Sequence, residues 1–115
     1  MDILDYQAQV MRALAHPRRL AILHELERSP IEVGKLAATL GISQPSCSQH
    51  LAAMLAVGIV VAERDGQKIR YSLADPAVMT ACGIMRGVLA RRMERMSQIV
   101  MTNEPAPSLA EVASL

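Results

Sequence analysis

The side chains of this 115-residue chain that could do chemistry fall into three groups. The first lies between residues 44 and 50: Gln44, Pro45, Ser46, Ser48, Gln49 and His50. A glutamine carries donor and acceptor together and can pair bidentately with the edge of adenine, while serine serves a base or a phosphate. The second group is cationic, Arg64, Lys68 and Arg70 around an Asp65-Gly66 turn signal, and suits phosphate oxygens. The third is the pair of cysteines, Cys47 and Cys82, whose thiolates would be nucleophiles or soft-metal ligands. Enzyme chemistry has no comparable foothold. The sequence contains no C-x-x-C, no H-E-x-x-H, no Gly-rich phosphate loop and no G-x-S-x-G, and no nucleophile–base pair can be assembled from it. No cofactor is expected.

Composition narrows the partners. Hydrophobic residues make up 51% of the chain, yet there are only two Tyr and no Trp or Phe. Eight Met, with Leu, Ala, Val and Ile, must fill the core, a mixture weighted toward helix formers. Scarce aromatics argue against single-strand binding, which needs platforms for base stacking. No apolar run approaches the roughly 20 residues of a membrane span. The acidic start, Met1-Asp2-Ile3-Leu4-Asp5, lacks the features of a secretory signal. No membrane partner and a cytoplasmic location are therefore expected. Net charge is only +1: residues 1–75 balance to zero, residues 76–101 carry four Arg against one Glu, and residues 102–115 add two Glu. Charge alone does not nominate a nucleic acid; the motif must.

Apolar steps of three and four residues predict a helix over 3–14 (Ile3, Tyr6, Val10, Met11, Leu14). Ala15-His16-Pro17 breaks it, and Pro17 suits the first turn of a second helix running to about Glu27. That helix would turn Leu20, Ile22, Leu23 and Leu26 inward. Arg18 and Arg19 at its start oppose the helix dipole; an external anion such as a DNA phosphate, local acids or solvent could each hold them. Next, either Ser29 caps a helix with Pro30 in its first position, or Ile31 lies in a short strand paired with a later hairpin. Val33, Leu36, Ala37 and Leu40 mark a short helix that Gly41 ends. Ser43 is an N-cap for the next, about 44–57, with Pro45 in its first turn. Cys47, Leu51, Met54 and Leu55 form its buried face, and Gly58 ends it. Two short helices joined by a tight Gly-containing turn have the helix-turn-helix form.

The period then changes. Residues 59–64 are a β-branched run, Asp65-Gly66 is a hairpin turn signal, and 68–73 alternate. A hairpin carrying Arg64, Lys68 and Arg70 directly after such a helix is a wing. Asp75-Pro76 opens a last helix to about Met101 with an apolar stripe of Val78, Cys82, Met85, Leu89, Met93, Met96 and Val100. Such a stripe is too apolar to be bare on a small monomer, so a homodimer closing on it, with the first helix as the second half, is expected. The expected class is mainly α with a small β-hairpin: a winged helix-turn-helix dimerising through its terminal helices. Residues 1–101 would form this domain and 102–115 a flexible tail, with Leu109 and Val112 leaving room for one short turn.

With the elements in this order, the chain resembles the ArsR/SmtB family of winged-helix repressors. The likeness is carried by Ala13-Leu14-Ala15-His16-Pro17-Arg18-Arg19-Leu20-Ala21-Ile22-Leu23 and by Gly41-Ile42-Ser43-Gln44-Pro45-Ser46-Cys47-Ser48-Gln49-His50-Leu51. Gly58-Ile59-Val60 and Arg70-Tyr71-Ser72-Leu73 complete it. The resemblance implies a homodimer on a palindromic, double-stranded operator, released by a signal. In that frame Gln44, Pro45, Ser48 and Gln49 would face the bases, Ser46 and His50 the phosphates, and the wing cations the backbone or minor groove.

Many members of this family bind metals, but two of their ligand sets are missing. Ile31-Glu32-Val33-Gly34-Lys35-Leu36 has no Cys, and residues 76–101 have no His and only Glu94 as an acid; no metal site is expected. Cys47 and Cys82 are either packing residues or sensors. The sensor reading places Cys47 at the positive end of a helix dipole, which would lower its pKa and favour the reactive thiolate. Oxidation or persulfidation would then enlarge a packed position and release DNA. Arsenite or another soft metal on the same thiols is the alternative; a protein-interaction module is another.

Overall fold

The helices begin and end where nearby groups can take up the backbone donors and acceptors that a helix leaves unpaired. The computed structural model describes the backbone of residues 1–101 and the side chains through residue 98. The elements run α1 (Ile3–Leu14), α2 (Pro17–Arg28), β1 (Ile31–Glu32), α3 (Val33–Leu40), α4 (Gln44–Ala56), β2 (Val60–Asp65), β3 (Lys68–Leu73) and α5 (Ala77–Met101). The expected tail, and the side chain of Val100, lie outside the described residues.

Asp2 and Asp5 close a reciprocal capping box on α1. The His16 ring caps α2 through Nδ1, which accepts from the Arg18 N–H at 3.1 Å, with Pro17 in the first position. Ser43 caps α4 as expected, its Oγ accepting from the Ser46 N–H at 3.2 Å. Gly41 ends α3 at φ 66, the left-handed conformation that favours glycine. Ser29 is not an N-cap: it is the extended residue closing α2, and α3 begins only at Val33. The strand alternative holds instead, because Ile31 and Glu32 pair with Tyr71 and Arg70 of β3. Backbone pairing across the sheet thus outweighs the local capping option.

The sheet is antiparallel in the order β1-β3-β2. Asp65 pairs with Lys68, so the hairpin loop is Gly66-Gln67, one residue later than the turn signal suggests. Gly66 has φ 66, as the mirror-image two-residue turns require at their first position.

By its contacts the chain divides into two compact units, Met1–Met79 and the segment from Thr80 onward. The first unit has a core of Ile22, Leu23, Leu26, Leu36, Ala37, Cys47, Leu51, Met54, Val60 and Met79. Two departures from the sequence reading stand out. Leu20 is 43% exposed rather than inward. The inward slot one turn before Leu23 falls on Arg19, which is half-buried. Val78, expected on the dimer stripe, packs against this core beside the buried Met79. Asp75 fixes the start of α5 by accepting from the Ala77 N–H at 2.9 Å. In the second unit Ile84, Met85, Leu89 and Met93 are each more than half exposed, while Cys82 and Met96 are half-buried.

The helix α1 buries no residue fully, and one polar contact pins its N-terminal half to the end of α4. The Tyr6 hydroxyl donates to the Val57 carbonyl at 2.7 Å, just past the end of α4. Gly58 allows this approach: its φ is 78, and a Cβ there would stand 3.2 Å from the phenol oxygen. Tyr6→Phe should cost about 1 kcal/mol, read as a lower urea midpoint at unchanged slope. An unchanged midpoint would mean that this hydrogen bond adds nothing to stability.

Candidate nucleic-acid interface

The α4 helix is sealed on one side and open on the other. Cys47, Leu51 and Met54 are buried in the core, whereas Gln44, Pro45, Ser48, Gln49 and Ala52 are exposed and Ser46 and His50 are half-buried. Residues 44, 48 and 52 follow one another at four-residue steps, with 45 and 49 beside them, so the exposed groups form one continuous face. Among the described residues the side chains of Ser48 and Gln49 make no intramolecular hydrogen bond. Gln44 reaches sideways: its Oε1 lies 3.6 Å from where a Cβ on Gly34 would sit, over α3. The six polar and proline positions expected from the sequence are thus brought together on α4, but His50 plays a different part from its neighbours.

His50 is tied to the corner between α1 and α2. Its Nδ1 accepts from Arg19 Nε at 3.1 Å, and its ring is tilted against that of His16 with centroids 4.6 Å apart. Arg19 also donates from Nη1 to the Ala13 carbonyl at 2.8 Å, near the end of α1. A carbonyl and an imidazole therefore hold Arg19, and among the described residues no acid pairs with it. Burial, then the neighbouring His16, Arg19 and Arg18, push the His50 pKa below its ordinary value, so near neutral pH the ring is uncharged. Sequence reasoning singled out Arg19 as a cation for an anion or an acid but missed its tie to His50, and it read His16 only as part of a helix break. The available signal was a charged residue in an otherwise apolar slot of α2.

The wing separates its cations. Directly paired residues share a face of an antiparallel sheet, so Val60, Leu73, Ala62, Tyr71, Arg64 and Ile69 lie on one side and Val61, Ser72, Glu63, Arg70, Asp65 and Lys68 on the other. Lys68 and Arg70 thus share a face with three acids, Glu63, Asp65 and, through β1, Glu32. Lys68 approaches Glu32 at 3.8 Å and Arg70 approaches Asp65 at 3.5 Å. Arg70, Asp65 and Lys68 are exposed and Glu32 is half-buried, and such surface pairs are each worth about 0–1 kcal/mol. Arg64 stands on the opposite face, beyond the core and beside the exposed Ile69. Of the three expected wing contacts, it is the cation without a paired acid among the described residues.

The thiols also differ from expectation. Cys47 does lie in the first turn of α4, but it is fully buried and burial pushes its pKa up. The dipole argument fails here because removing a thiolate from water costs more than one helix end returns. Cys47 packs as a small hydrophobe. Cys82 is half-buried on α5. Among the described residues no three His, Cys, Asp or Glu side chains come together as a ligand set, and no helix is long and apolar enough to cross a membrane.

Comparison with known proteins agrees with this geometry. A helix-turn-helix domain family matches residues 14–63. The chain is 43% identical over 74 residues to the HTH-type transcriptional repressor SmtB of Mycobacterium tuberculosis, covering 64% of this chain but only 55% of that protein. It thus spans little more than half of that relative's length. It is 38% identical over 85 residues to the HTH-type transcriptional regulator YgaV of Escherichia coli, covering 73% of this chain and 86% of that protein. A solution structure of a homodimeric winged helix-turn-helix DNA-binding domain from Mycobacterium bovis, described as a possible ArsR-family regulator, superposes with a TM-score of 0.74 at 31% identity. That match covers 81% of this chain and 86% of that one. These relatives are regulators and repressors rather than enzymes. The helix-turn-helix, its wing and these likenesses together place the chain in the ArsR/SmtB family of winged helix-turn-helix transcriptional repressors.

Proposed function

We propose that this chain acts as a homodimeric repressor that binds double-stranded operator DNA through α4 and is released by a chemical signal. The observation that carries the reading is the outward face of α4. Ser48 and Gln49 are exposed there without intramolecular partners, on a helix whose other face is locked into the core. Such a face suits base edges in a major groove, and an apolar groove for a protein partner is not what these residues build. Gln44, Pro45, Ser48 and Gln49 are assigned to bases, Ser46 and His50 to phosphates, and Arg64, with Lys68 and Arg70, to the flanking backbone. The wing's paired acids make Arg64 the strongest of these three contributors.

Dimer formation is assigned to the α5 stripe of Cys82, Met85, Leu89, Met93 and Met96, where Met85, Leu89 and Met93 are 54%, 53% and 68% exposed. The homodimeric state of the Mycobacterium bovis neighbour supports it. Two-fold symmetry would set the recognition helices about 34 Å apart, one turn of DNA. For the signal, thiol chemistry falls to Cys82, because Cys47 is sealed and its thiolate disfavoured. Modification of Cys82 would act on the dimer stripe rather than on the recognition helix.

A salt-dependent shift assay on the DNA upstream of the protein's own coding region tests the reading. Preference for that region over random duplex is expected; equal binding to both would remove the operator assignment. Gln49→Ala should weaken the preferred site by about 1–3 kcal/mol and leave random duplex unchanged. In native protein, a thiol reagent should modify the half-buried Cys82 before Cys47, which should react only on unfolding. Oxidation should weaken DNA binding in the wild type and not in Cys82→Ser. Loss of binding in both would exclude Cys82 as the sensor.

A further inference from the structure

The corner built from His16, Arg18, Arg19 and His50 is not needed to pack the core, and its chemistry is one-sided. Both imidazoles use Nδ1 as an acceptor, His16 from the Arg18 N–H and His50 from Arg19 Nε, each at 3.1 Å. A neutral imidazole that accepts at Nδ1 carries its proton on Nε2. Each ring therefore has a second N–H donor, and among the described residues neither Nε2 has a partner. The rings are 4.6 Å apart between centroids and only half-buried. Arg18 adds an exposed guanidinium that acts electrostatically on His50. The corner thus offers donors and positive charge.

A cation is a poor match for this arrangement. The ring nitrogens that could ligate a metal are occupied or protonated, and two guanidiniums stand close by. An anion with several acceptor oxygens matches it well. The position indicates which anion. His50 is one helical turn beyond Ser46, on the edge of the exposed α4 face. The corner is open rather than closed over, as access by a long polymer requires.

We propose that His16, Arg18 and His50 form a phosphodiester-binding corner that holds the DNA backbone beside α4, with Arg19 as the positioning residue that orients His50. The inference rests on the DNA-binding reading above and extends it to α2. Arg19 itself is held at two points, the Ala13 carbonyl and His50 Nδ1, so its role is to fix the direction of the Nε2–H bond. Burial and the charges of His16, Arg19 and Arg18 favour the uncharged His50 ring. A further proton could go only on Nδ1, where it would meet the Arg19 Nε–H and break the tie that aims Nε2–H. His50 therefore holds the phosphate as a neutral donor. The sign follows from linkage: this contact is lost as the pH falls through the lowered His50 pKa.

The test uses the full chain and two duplexes, the upstream region and a random sequence, across a salt series from about pH 8 to about pH 5. His16→Gln, His50→Gln and Arg18→Gln should each weaken both duplexes alike. Loss of the Arg18 cation should lower the salt slope by about 1, while loss of an uncharged imidazole donor should weaken binding at nearly unchanged slope. His50→Gln keeps an amide donor near the Nε2 position but cannot titrate, so it should also flatten the pH dependence. Arg19→Met should flatten it too. Thermal unfolding of each variant separates loss of contact from loss of fold. Wild-type protein that binds neither duplex would defeat the DNA-binding reading itself. Wild-type binding matched by all folded variants, with slope and pH profile unchanged, would overturn the corner alone. So would loss confined to the upstream duplex. A ring-proton NMR shift on titration with inorganic phosphate, with none on adding duplex, would assign the corner to a free anion and overturn the DNA assignment.

Discussion

The packing of Cys47, Leu51 and Met54 against α2 and α3 is the constraint on which the other surfaces depend. Those residues can be buried in only one rotation of α4, and that rotation turns Gln44, Ser48 and Gln49 outward together. Each buried aliphatic side chain contributes about 1.5–3 kcal/mol. The core therefore holds the orientation far more firmly than any polar contact at the helix ends could. The caps do a separate job. Ser43 and Gly41 decide where α4 begins and where α3 stops, and so set the short turn between them.

Most of the architecture was legible in the sequence because periodicity, caps and turn residues agreed with one another. The bounds of α1, the Ser43 cap, the Gly41 stop and the wing all follow from local chemistry, and the structure has each of them. What failed to be legible depended on partners distant in sequence. Ser29 and Pro30 look like a helix start, but pairing between Ile31 and Tyr71, forty residues apart in the chain, draws that segment into the sheet. Leu20 reads as core from its type alone. Its slot is shallow because Arg19 takes the inward position and is satisfied there by Ala13 and His50.

The candidate site divides along the same line. That α4 would expose a hydrogen-bonding face could be read from residue types at helical spacing. How the flanking charges are used could not. Lys68 and Arg70 look like two interchangeable wing cations beside Arg64, and only strand register reveals that they share their face with three acids. For Cys47, the helix dipole and desolvation act in opposite directions. Sequence position supplies the first and only burial supplies the second. Charge balance over residues 1–75 is then no obstacle to an anionic partner. The acids are gathered on one side of the wing, while the α1–α2 corner and Arg64 keep their positive character.

The two ties between α1 and α4 have matching intervals. Tyr6 holds Val57, and Ala13, through Arg19, holds His50. Each pair of anchor points is seven residues apart along its own helix, about 10 Å at the usual rise, and the two helices run in opposite directions. The first helix is therefore a splint fixed at both ends of the same stretch of α4. A pull on α1 is thereby divided between two points of α4 instead of falling on one end of it.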